Sequence, residues 1–160
     1  MVGSTQAFPH ASQGDINMDT KLAIGLVAGA LLIGTYYVED VFESGGPLPA
    51  EYLEGPEARI WLHSSENESA LASNRFLETR NALRFVQELY EAGADRVIVP
   101  RPSIIDDGEE KYADSLVVFL PTTDAARRER VWKLCAQELN REGGEAGEIP
   151  ADGHVMLWWD

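Results

Sequence analysis

Residues 22–38, LAIGLVAGALLIGTYYV, run for about 17 positions without a charge and constrain this chain more than any other feature. A helix needs about 17–25 apolar residues to cross roughly 30 Å of hydrocarbon, so the run predicts a single transmembrane helix over residues 21–38. Tyr36 and Tyr37 stand at its C-terminal end, where amphipathic rings favour the headgroup layer, and Glu39 and Asp40 mark the return to water. A cleaved signal peptide fits less well: Lys21 is the sole preceding base, and no small-x-small site follows. A buried soluble helix would show a polar face, and this stretch has none. Gly25 and Gly29 stand four apart, as do Ala30 and Gly34. Small residues at that spacing share one helix face and let a second backbone approach closely.

Lys21 is the only base near the run on its N-terminal side, and none follows until Arg59. The positive-inside tendency then puts the N-terminus in the cytoplasm and the C-terminal domain on the opposite, periplasmic or extracellular side. Residues 1–20 are rich in small polar groups and predict a flexible arm, within which Met18 offers a second start. Residues 39–57 hold six acids, no base and the GGPLP stretch, which predicts an acidic Gly/Pro linker. Like charge near anionic lipid is repelled, so this linker is expected to hold the domain away from the surface.

The charge follows the same division. Of a formal −14, only −1 lies before residue 39, and mean hydropathy of −0.22 averages an apolar anchor with an acidic exterior. Phosphate backbones require clustered bases, so nucleic acid is excluded as a general partner and basic protein surfaces are favoured. A single Cys excludes a disulfide framework and a four-thiolate metal site.

Residues 58–160 alternate strand and helix patterns. Residues 58–63 (ARIWLH) predict a strand, and 73–92 a helix with Phe76, Leu83, Val86 and Tyr90 inward, stopped at Gly93. Strands follow at 96–99 and 115–120. A helix capped by Thr122 or Thr123 then runs to about Asn140, with Val131, Leu134, Cys135 and Leu139 inward, and 154–159 forms a last strand. The predicted class is α+β: an N-terminal transmembrane helix, then a ferredoxin-like β-α-β-β-α-β sandwich with an antiparallel sheet.

No catalytic constellation emerges and no cofactor is implied. There is no P-loop, no CxxC in the HSSENES loop and no nucleophile elbow beside Ser64, Ser65 and Ser69. In the expected sandwich the first and last strands pair, which would bring His63 and His154 to one sheet end. Asp106, Asp107, Glu109, Glu110, Asp152 and Glu66 would lie nearby as candidate ligands for a divalent ion. Two further features suggest contact surfaces. Arg127, Arg128, Arg130 and Lys133 gather at a helix start, where cations oppose the dipole. Trp158 and Trp159 point to opposite faces of the final strand, and indoles are frequent binding anchors.

These features lead to the expectation of a non-catalytic accessory or structural subunit of a larger membrane complex, such as a photosynthetic or respiratory assembly. Its partners would be other membrane-protein subunits and, through residues 22–38, the bilayer. The alternative is a membrane-anchored sensor or binding domain for an ion or small ligand.

Overall fold

The apolar run at 115–119 becomes β4 (Ser115–Phe119), the middle strand of a three-stranded sheet. It pairs antiparallel with β1 (Arg96–Ile98) on one side, Val97 opposite Val118, and with β5 (His154–Trp158) on the other, Val117 opposite Met156. A separate antiparallel hairpin joins β2 (Ile104–Asp106) to β3 (Lys111–Ala113). The fold is therefore α+β with antiparallel sheets. These statements rest on a computed structural model that describes residues 47–108, 110–143 and 146–159. The expected arm and transmembrane helix, with Gly25, Gly29, Ala30 and Gly34, lie outside the described residues, as do residues 39–46 of the linker.

Alternation along the strands sorts side chains by face. Val97, Val99, Leu116, Val118, Leu120, Val155, Leu157 and Trp159 join one buried cluster with Ala82, Phe85, Val86 and Leu89 of α3 (Thr79–Ala92) and Val131 and Cys135 of α4 (Ala125–Arg141). Two helices thus cover one sheet face. Gly93 ends α3 in a left-handed conformation (φ 114°) that suits glycine, with the Gly93 and Ala94 amides both donating to Leu89 O.

The expected strand at 58–63 is instead a helix, α1 (Ala58–Ser64), so the four-stranded sandwich is not formed by the described residues. Two observations explain the difference. Ala58 and Leu62, four apart, are buried while Ile60 is exposed, so the apolar spacing is helical rather than alternating. The preceding Glu57 then caps the first turn, its carboxylate accepting from Ile60 N at 2.9 Å.

The helix expected over 73–92 is divided into α2 (Ser73–Phe76) and α3 by Leu77 (φ 64°) and an extended Glu78. Thr79 holds the break: its Oγ1 donates to Asn67 O at 2.7 Å and accepts from Ala70 N at 2.8 Å. The bend buries Phe76 against Phe85 and Trp159, with ring centroids 5.5 and 5.2 Å away. In α4 the cap is Asp124 rather than either threonine, its Oδ1 accepting from Arg127 N at 2.9 Å. Leu134 and Leu139 are only partly buried, whereas Glu138 is 5% exposed.

The compact unit begins at Pro47, ahead of the boundary expected at residue 58. Tyr52 is buried in a 3₁₀ turn, and residues 54–57 run beside β1, with Val99 N donating to Pro56 O and Arg101 N to Glu54 O. Gly55 is required there, since a Cβ would sit 1.9 Å from Val99 O. The part of the acidic stretch that is described therefore folds onto the sheet edge instead of standing free.

Candidate docking groove

Helix α1 packs beside α3 and leaves an open groove of about 900 Å³ between them. Helical spacing builds its two rims. Arg59 and His63 stand four apart on α1, and Arg80 and Arg84 four apart on α3, so each pair lies along one helix face. Between them the lining is mainly apolar. Leu83 is half-buried and rests on the core, whereas Ile60 is 69% exposed, with Ser64 and Gln87 completing the walls. An isoleucine this open is the largest departure from burial on α1, whose Ala58 and Leu62 are fully buried.

Beneath the α1 cap, Tyr90 ties three elements together. Its hydroxyl donates to Glu57 Oε1 at 2.5 Å and accepts from Val97 N at 2.9 Å. Burial, reinforced by the Glu57 hydrogen bond, pushes the Tyr90 hydroxyl up to about 12. Burial alone would raise Glu57, but hydrogen bonds from Tyr90 and the Ile60 amide outweigh it and hold that carboxyl below its ordinary value. The Arg59 guanidinium lies 3.9 Å from the Tyr90 ring centroid and 3.5 Å from Glu57. Arg80 pairs with Glu78, while Arg84 and His63 have no ion-pair partner among the described residues. The groove is thus an open, largely apolar surface flanked by three arginines, of which Arg59 pairs with Glu57 and Arg80 with Glu78. Of its lining side chains, Ser64 Oγ donates to Trp61 O at 3.0 Å.

The candidate metal ligands are not brought together. His63 is exposed on α1, not at a strand end. His154 stands opposite Phe119, while the chain from Val99 into the β2–β3 hairpin leaves the sheet at the other end, beyond Ser115 and Trp158. Those ends are roughly 13 Å apart at about 3.3 Å per residue. Asp106 is paired with Lys111 at 3.0 Å, and the Asp107 carboxylate accepts from Glu110 N at 2.8 Å. Asp152 lies 3.1 Å from His154 Nε2, near enough for an ion pair but off the line of a hydrogen bond. Glu66 is exposed in the loop after α1, and Glu109 lies outside the described residues. Among the described residues no three His, Cys, Asp or Glu side chains converge.

The basic cluster on α4 divides in two. Arg127 Nη2 donates to Gly93 O at 2.8 Å, so this cation sits at the C-terminal end of α3, where the dipole favours it. Arg128 donates to Pro150 O, and Arg130 and Lys133 are exposed. Trp159 is a core residue, 2% exposed, packed edge-on to Phe76 and Phe85. Trp158 is half-buried on the opposite face. The Cys135 thiol is buried and pushed up to about 12 by desolvation, which leaves it inert.

The groove residues Ile60, Arg80, Arg84 and Gln87 escaped the sequence reading, which places Leu83 on the inward face of its helix. Their signal is visible only once 58–64 is a helix, because a strand would send Ile60 and Leu62 to the same face. Among the described residues no helix is long and apolar enough to cross a membrane. No family profile, curated protein or solved structure matches this chain.

Proposed function

We propose that this chain is a non-catalytic accessory subunit of a larger membrane assembly, anchored through residues 22–38 and docking through its extramembrane domain. The observation that carries the docking half of the proposal is the α1–α3 groove, with Ile60 open to solvent beside Leu83. Concave apolar surfaces rimmed by polar groups are where proteins meet partners. The anchoring half rests on the uncharged run and its flanking Tyr36, Tyr37 and acids. Paired small residues at Gly25/Gly29 and Ala30/Gly34 supply a second contact surface within the bilayer. By the same reading the N-terminus is cytoplasmic and the domain lies across the membrane. The alternative is a membrane-anchored sensor or binding domain for an ion or small ligand, and the dispersal of its candidate histidines and acids among the described residues favours the subunit reading over the ion-binding form of it.

The experiment is extraction of the full chain from its native membranes in mild detergent, followed by native mass measurement and identification of what travels with it. A discrete particle of fixed composition supports the proposal. A solitary, monodisperse chain, or recovery without detergent after a carbonate wash, refutes it.

A further inference from the structure

Resting on that docking reading, we infer that the α1–α3 groove takes an acidic amphipathic helix of a partner protein. Charge carries the choice of occupant. Residues 47–160 hold 22 acidic and 12 basic side chains, yet the groove gathers Arg59, Arg80 and Arg84 against Glu57 in its lining and Glu78, which pairs with Arg80. Glu57 is already engaged by Tyr90 and the α1 amide at Ile60. The groove is therefore a local inversion of sign on a strongly acidic domain, and it selects carboxylates by complementarity.

Shape carries the rest. Rims built from i, i+4 pairs with Ile60 and Leu83 between them match a helix that lays one apolar stripe into the groove and carries acids along both edges. An anionic bilayer offers the same charge on a flat surface, and the acid excess of the whole domain opposes its approach. A partner helix brings its carboxylates to the rims alone. Arg84, without an ion-pair partner among the described residues, is the first contact such a helix would make.

The test uses the full chain in neutral maltoside micelles and fluorescein-labelled 18-residue helical peptides, read by polarisation. One peptide carries leucines at i, i+3, i+4 and i+7 flanked by glutamates; its twin replaces every glutamate with lysine. The acidic peptide binds, and the lysine twin binds at least about tenfold more weakly, as two or three exposed charge pairs require. Arg80→Glu with Arg84→Glu reverses the preference, Ile60→Asp abolishes binding of both, and circular dichroism shows the variants folded. The inference is overturned if the twins bind alike, or if the preference survives charge reversal. It is also overturned if dihexanoyl phosphatidylglycerol binds in an Arg84-dependent way while the peptide does not. The two levels separate cleanly in the native particle. If charge reversal leaves it intact and Ile60→Asp dissolves it, docking stands and the acidic helix falls; if Ile60→Asp also leaves it intact, the docking reading falls.

Discussion

Glu138 is the least expected core residue, and removing its carboxylate tests whether α2 is held by charge or by packing. The side chain is 6% exposed and forms a bidentate pair with Arg75, Nε to Oε2 at 2.8 Å and Nη2 to Oε1 at 2.9 Å. Arg141 adds a contact at 3.0 Å. Removing one member of a fully buried pair costs about 3–5 kcal/mol, because the other charge is left uncompensated. Arg75 keeps 24% of its side chain in water, which lowers the figure for Glu138→Leu to about 2–3 kcal/mol. Arg75→Met leaves Glu138 with Arg141 and costs less, about 1–2 kcal/mol. The double variant places two apolar groups where a charge pair had been desolvated, and lies within about 1 kcal/mol of the parent. The assay is urea unfolding followed by tryptophan fluorescence, with thermal scans in which Glu138→Leu lowers Tm by about 10 °C. If the two single losses add in the double variant, the residues are uncoupled and the pair does not pin α2.

Two further outcomes follow from local geometry. Glu57 has a depressed folded-state pKa, so its contribution to stability is present above the unfolded carboxylate value and is lost as pH falls through the folded one. Stability measured from pH 6 to pH 3 therefore declines less steeply in Glu57→Gln than in the parent, and parallel curves would show that the Tyr90–Glu57 network contributes nothing. Leu77 holds a strained positive φ with its side chain 70% exposed, so Leu77→Gly loses little packing and gains about 1 kcal/mol. A lower denaturation midpoint in that variant would show that the Leu77 side chain contributes to the fold.

The strands and the long helices were legible where a pattern ran far enough to have one meaning. The continuous apolar run at 115–119, closed by Pro121, reads as a central strand, and Val131, Leu134, Cys135 and Leu139 repeat at helical spacing over more than two turns. Six residues of ARIWLH satisfy both periods, and the deciding group is Glu57, a residue outside the favoured cap types. The break at Leu77 has no signature in composition, since Thr79 enforces it through hydrogen bonds to a loop some ten residues earlier. That misassigned strand accounts for His63, and the placing of the 106–110 acids is a separate error. The former put His63 at a sheet end beside His154, whereas the true register sends loop 99–104 to the opposite end from His154. Strand alternation puts Trp158 and Trp159 on opposite faces without saying which is buried, and the core claims Trp159.

The central claim, that the domain is a docking module of a membrane assembly, is most directly tested by the size of the native particle with one solvent-facing side chain changed. Ile60 is 69% exposed, so Ile60→Asp leaves the fold within about 0.5 kcal/mol of the parent while placing a charge on the groove floor. Native mass measurement in mild detergent is predicted to find the parent chain in a discrete larger particle and the Ile60→Asp chain, equally stable and still membrane-extracted, released from it. A variant that stays in the same particle at the same stoichiometry would contradict the account.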